Sequence, residues 1–373
     1  MHSKSLLWLP VLLSAVLATT AAAANPQRQF SVEIDPRVEL LGVVYRLGGH
    51  PEFSQGQVEL YLNDVDDYFE PYRDHPVVAL TQELRKSHGI SFDAVMQLAL
   101  HLDDAFTPAP IRPLDDESLQ LYADGRWTES DAREFIGDLA DFAKQSDFKR
   151  FYEEHAAIYQ HTVRAMQSFV DSQLDLSWLQ NYFGFAPSEP FTIIPAMIDG
   201  PASYGPKYLD AEGNEKFYAI VGINSTDEEG MPVVGNDNLE LIIHEFSHSF
   251  VNDLVQAHRK ALMAPASKIF ATVAPKMQRM AYPDWQIMVD ESLVRAVVIR
   301  YLLAHGDTEG AENQVQYEVK RSFLWMPELT KWMADYEQNR QRYATFGDFL
   351  PRVADFFADY ASQLEDEGTK SEE

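Results

Sequence analysis

The chain has 373 residues, 46% of them hydrophobic and 12% aromatic, enough for one large or two medium globular domains and too apolar for an intrinsically disordered protein. Its 58 acidic and 30 basic side chains give a formal charge of −28, a surface that repels nucleic acid and anionic membranes. Cysteine is absent, which excludes disulfides, thiolate metal ligands, a cysteine nucleophile and a lipid anchor on a leader-site cysteine.

Residues 1–24 read as a cleaved signal peptide. Lys4 precedes an apolar run from Leu6 to Leu17, and Ala22–Ala24 supplies small residues before Asn25. The run is short for a membrane span and has Pro10 inside it, and no other stretch is apolar enough to cross a bilayer. Cleavage removes Lys4 alone among the charges, so −28 becomes −29. An exported chain without cysteine fits a bacterial periplasm or exterior.

Residues 25–185 read as a mostly helical N-terminal region. A strand is expected at Ser31–Ile34, ended by Pro36, and Val38–Leu47 leans to helix. Apolar residues then recur at helical spacing over Leu80–Lys86, Phe92–Leu102, Ser130–Phe142 and Phe148–Val170. The acidic stretches Asp103-Asp104 and Asp115-Asp116-Glu117 suit solvated loops. Of the histidines in this part, His75, His88, His155 and His161 read as surface or core residues. His101 ends an apolar helix, so a cleft position is open to it.

A boundary is expected near Gly184–Pro190, where glycine and prolines break the helical pattern, so that 186–365 forms a second unit. Strands are expected at Phe191–Ile194 and Phe217–Ile223. They flank a turn-rich stretch, Asp199–Lys207, that contains Tyr204-Gly205-Pro206.

Next comes the segment Leu239–Val251, with His-Glu-x-x-His at helical spacing and a capping-box pattern at Asp237 and Glu240. Residues four apart on a helix share a face, so His244 and His248 aim two imidazoles at one point, which suits tetrahedral Zn²⁺. Glu245 sits where a general base belongs. A third ligand is needed. Glu291, 43 residues after His248, opens a second apolar helix and completes a His, His, Glu set of the catalytic kind. Asp290, Glu240 and Asp253 are rival carboxylates, and an ion pair of Glu291 with Arg295 four residues on is the other reading of that residue. Arg295 is in either case suited to orient Glu245 or Glu291. Ala257–Tyr282 reads as a spacer helix divided by Pro265 and Pro275. Trp285–His305, Phe323–Tyr336 and Phe346–Leu364 read as further helices, and 366–373 as a frayed acidic tail.

His244-Glu245-x-x-His248 followed by a helix carrying Glu291 resembles the gluzincin pattern of zinc metallopeptidases over roughly residues 190–305. The stretch Ile243–Phe250, with Tyr204-Gly205-Pro206 upstream and Glu291–Ala296 downstream, also resembles a family of secreted bacterial proteins of unknown function, domain-of-unknown-function family 4932, over most of the chain. These resemblances imply an α+β, mostly helical protein. Its zincin-like domain would carry a small sheet followed by active-site helices, after the helical N-terminal region. They imply Zn²⁺ on His244, His248 and Glu291, with Glu245 as general base, and an edge strand that pairs with an extended peptide substrate. Tyr204 is either a hydrogen-bond donor to the developing oxyanion or a turn tyrosine packed on its loop; Tyr282, Tyr301 and Tyr317 compete for the donor role. The expected activity is hydrolysis of peptide bonds in a peptide or protein substrate. A metal-binding interaction protein on the same scaffold is the alternative, and a hydrolase for non-peptide amides a third reading.

Overall fold

A computed structural model describes residues 30–111, 114–117, 119, 125–184, 191–209, 215–280 and 282–371. The expected leader lies outside them, as does most of the expected 184–190 boundary. The architecture is mostly helical with one small mixed sheet. A short strand β1 (Phe30–Val32) leads into α1 (Pro36–Leu47), α2 (Glu59–Phe69), α3 (Pro76–His88), α4 (Asp93–Leu100), α5 (Glu129–Gln145), α6 (Phe148–Glu154), α7 (Ala156–Gln173) and α8 (Leu176–Phe183). The strands β2 (Phe191–Ala196), β3 (Ser203–Tyr204), β4 (Lys207–Leu209) and β5 (Glu215–Gly222) follow. Six helices close the chain: α9 (Asn236–Ala257), α10 (Arg259–Arg279), α11 (Trp285–Ala304), α12 (Thr308–Lys320), α13 (Met326–Gln338) and α14 (Phe346–Ser371).

Pro36 ends the first strand by starting a helix. It takes the first helical position, where a missing N–H costs nothing, and the Asp35 carboxylate caps the Arg37 amide at 2.8 Å. β1, β2 and β5 run parallel, with Phe30 opposite Phe191 and Ile193 opposite Ala219. β3 and β4 run antiparallel along the far side of β5 in one register, Tyr204 opposite Ile220 and Lys207 opposite Phe217. They form a single edge strand interrupted at Gly205-Pro206.

The sheet has two covered faces. Phe191 and Phe217 meet α9 through Phe246 and Phe250, with Phe191–Phe246 ring centroids 4.3 Å apart. The opposite face meets α1 and α7: Gly42 lies against Ile198, and Glu39 of α1 accepts the Met197 amide at 2.9 Å. Buried apolar residues from before and after the 184–190 segment belong to one core. The division expected at 185/186 therefore separates nothing in the packing, and β1 is a strand of the same sheet that supports α9.

Several boundaries differ from the sequence expectation. Pro265 and Pro275 lie inside one unbroken α10. Leu262, Ala266, Ile269, Val273 and Met277 form a buried stripe that holds the helix together despite the two lost hydrogen bonds. Phe148–Val170 divides at His155. α12 was not expected because only Ala311 and Glu318 are buried along it, too few to give a period. α14 runs on to Ser371, since charged residues that end an apolar pattern still favour helix. Among the described residues, no helix is long and apolar enough to cross a membrane.

Candidate metal centre

α9 begins at Asn236, with the Asn238 side chain accepting the Gly235 amide at 2.9 Å, so the cap sits two residues before the expected Asp237/Glu240 box. Leu239, Ile242, Ile243, Phe246, Phe250 and Val251 bury one side of the helix. His244 and His248 occupy another stripe, turned toward α11. α11 is capped by Asp284 and apolar on nearly every side, as befits a helix at the centre of the core, and it carries Glu291 in its second turn.

The three side chains converge. His244 Nε2 and His248 Nε2 are 3.1 Å apart, His248 Nε2 is 3.4 Å from Glu291 Oε1, and His244 Nε2 is 3.7 Å from Glu291 Oε2. Ligand atoms on a tetrahedral zinc at 2.0–2.1 Å stand about 3.3 Å from one another, so these spacings fit such an ion. His248 Nδ1 faces Asn252 Oδ1 at 3.0 Å, which fixes the hydrogen on Nδ1 and turns the Nε2 lone pair toward the cluster. Among the described residues this is the one group of three with ligand spacing; Asp290, Glu240 and Asp253 are not part of it.

Arg295 lies beneath the carboxylate. Its Nη2 donates to Glu291 Oε2 at 2.6 Å and to the Tyr282 oxygen at 2.8 Å, and its Nη1 donates to the buried Glu318 at 2.8 Å. Glu291 thus makes the ion pair with Arg295 while its carboxylate also lies against both imidazoles. Burial pushes the Glu291 carboxyl up, but Arg295 and the two imidazoles hold it well below the usual range. Burial pushes His244 down. It does the same to His248, where Glu291 reverses the effect and lifts the imidazole to about 9.

Glu245 is buried beside His244, and burial raises its carboxyl to about 7. The edge strand passes directly behind it: a Cβ on Gly205 would lie 2.2 Å from the Glu245 carbonyl oxygen, so only glycine permits that approach. Asp93, at the start of α4, also acts on the Glu245 carboxyl and pairs with Arg126 at 2.7 Å. The N-terminal half therefore contributes to the surroundings of the site.

Tyr204 is not brought into the cluster. It is in register with Ile220, two residues from Tyr218, and Tyr218 shares the α1 face with Arg37. That face lies opposite the one on which α9 packs. The Tyr204 hydroxyl is buried; after burial Asp199 acts on it most strongly, and Glu245 is among the weaker influences. Tyr204 is packed within the protein and is not one of the three converging side chains. Of its competitors, Tyr301 donates to the Gln173 carbonyl at 3.2 Å and Tyr317 is exposed, whereas Tyr282 stands beside Arg295 and Glu291. His101 is buried at the end of α4, its Nδ1 donating to the Gln97 carbonyl at 2.8 Å, and is not in the cluster. Asn252, Glu318 and Arg321 escaped the sequence reading. Asn252 was within reach of it, four residues beyond His248 on the same stripe.

Fold and site together define a mostly helical α+β protein with a His, His, Glu cluster between two core helices. Residues 30–355 match the family described as Domain of unknown function (DUF4932), and the chain belongs to that family. No curated protein and no solved structure matches it.

Proposed function

We propose that the chain is a zinc-dependent peptidase of the gluzincin type. The reading is carried by the 3.1, 3.4 and 3.7 Å spacing of His244, His248 and Glu291, with Glu245 buried at their side. His244, His248 and Glu291 would hold the ion. Bound zinc supplies a Lewis acid that activates water and polarises a carbonyl. Glu245 then acts as the proton carrier, taking a proton from the attacking water and delivering it to the leaving amine. Its burial supports this role, because a carboxyl raised toward neutral pH accepts and returns a proton readily. Asn252 and Arg295 keep His248 and Glu291 in place. With residues 1–24 read as an export leader, the substrates are peptides or proteins outside the cytoplasm.

Metal analysis of the purified protein tests the first half: about one zinc per chain in the wild type and loss of it in His248→Ala. Glu245→Gln tests the second, retaining zinc while losing hydrolysis of a peptide library. Undiminished, chelator-sensitive hydrolysis by Glu245→Gln rules the mechanism out. Zinc binding without turnover of any peptide leaves the interaction-protein reading.

A further inference from the structure

Two arginines join the hydrogen-bonded network behind the cluster, Arg295 and Arg321. Arg295 lies between two carboxylates, Glu291 and Glu318. Arg321, just past α12, has its guanidinium 3.3 Å from the Tyr282 oxygen and 5.4 Å from the Tyr317 ring centre. No carboxylate among the described residues pairs with it, in a chain with nearly twice as many acids as bases. It is partly exposed, so a ligand can reach it.

Its position is tied to the ligand set by two atoms. Tyr282 accepts from Arg321 Nη2 and from Arg295 Nη2, and the same Arg295 nitrogen donates to Glu291 Oε2. A phenol oxygen that accepts twice keeps its own hydrogen for a third group. Arg321 and Tyr282 thus present a charged and a neutral donor side by side next to the metal ligands. Three contacts of 3.3, 2.8 and 2.6 Å link the Arg321 guanidinium to Glu291 Oε2 and set the upper limit of their separation; a substrate chain advances at most about 3.5 Å per residue, so a carboxylate one or two residues from the scissile bond is within reach.

We propose that Arg321, with the Tyr282 hydroxyl, anchors a carboxylate of the substrate within one or two residues of the bond that is cut. The inference rests on the peptidase reading and narrows it to substrates with a free C-terminus or an aspartate or glutamate near the cleavage point. Guanidinium is suited to this because its planar fork matches a carboxylate.

Binding and turnover separate the two levels of the claim. The first probe is N-(mercaptoacetyl)phenylalanine, whose thiol seeks zinc, against its C-terminal amide, titrated into the zinc-loaded full chain by calorimetry. The acid is expected to bind at least tenfold more tightly than the amide, and the ratio to fall to near one in Arg321→Gln and recover partly in Arg321→Lys. Equal binding of acid and amide by the wild type overturns the proposal, as does a preference that survives Arg321→Gln with zinc content intact. Equal binding by the wild type overturns the proposal even where Arg321→Gln folds poorly, and Arg321→Lys then supplies the second variant. Cleavage of peptides with a free C-terminus, with an amidated one, and with an amidated end plus an internal glutamate then identifies the source of the carboxylate. A carboxylate preference in binding without cleavage of any peptide removes the peptidase reading and leaves the anchor standing. A protein that takes up no zinc removes both.

Discussion

Arg295 sits where one side chain meets two buried acids, and the energetics of that arrangement decide how the site tolerates change. Removing a charge from a buried network strands its partners, which costs about 3–5 kcal/mol, while replacing the network by apolar groups is nearly neutral. Arg295→Met should therefore destabilise the metal-free protein by about that amount, because Glu318 is fully buried and has Arg295 as its ion-pair partner. Arg295→Met with Glu318→Met should recover much of the loss. Urea unfolding of the single and double variants checks this, and equal destabilisation in both contradicts the coupling. Asn252 works at lower stakes. Asn252→Ala removes the acceptor that fixes the His248 tautomer, and zinc affinity should fall about tenfold or more in a competitive chelator titration. The His-Glu-x-x-His residues were legible in the sequence because helix geometry alone places i and i+4 together. Glu291 was legible only as an acid at the head of an apolar helix. Arg321 gave no signal, since its meaning depends on which carboxylates fail to reach it.

At the level of elements, the contact between the edge strand and α9 controls the site most directly. Gly205 lets the strand backbone lie against the Glu245 carbonyl, and a methyl group there meets backbone atoms that cannot move aside without shifting strand or helix. Gly205→Ala should cost about 1–3 kcal/mol and lower peptide turnover, while zinc stays bound because the ligands project from other parts of the helix surface. Unfolding curves and zinc content together test this, and a variant of wild-type stability and rate refutes it. The sequence marked Gly205-Pro206 as a turn, and the structure shows it instead as a break inside one edge strand. A dipeptide of that kind suits either, and only the partner strand β5 settles which. The same limit explains α10 and α12. Prolines usually end helices, but the burial of a continuous stripe outweighed two of them; helical pattern needs apolar residues to be visible, and α12 has almost none.

Across the whole molecule, the residues before and after the expected boundary share one sheet and one core. β1 pairs with β2, and Glu39 of α1 accepts both the Met197 amide and the Tyr61 hydroxyl. A fragment from residue 186 onward would expose the sheet face that α1 and α7 cover, and is expected to show no cooperative unfolding by circular dichroism; a cooperative, zinc-binding fragment would restore the two-unit reading. Glu39 also ties the union of the halves to pH. Burial raises its carboxyl from 4.5 to about 7, so between those values the folded chain binds more protons at this position than the unfolded one. Its contribution to stability is complete below about pH 4.5 and is lost as pH rises through 7, and at about 1.4 kcal/mol per pKa unit the loss is of order 3 kcal/mol. Other buried acids titrate in the same window, so the measurement is a difference between wild type and Glu39→Gln in the metal-free protein. The glutamine keeps an oxygen for the Met197 amide and offers N–H to Tyr61, whose proton can turn to Tyr159, 2.7 Å away. The variant should gain stability relative to the wild type as pH rises from 5 to 8, by up to about 3 kcal/mol. A constant difference across that range would mean that Glu39 is ionised throughout and that the buried junction accommodates its charge.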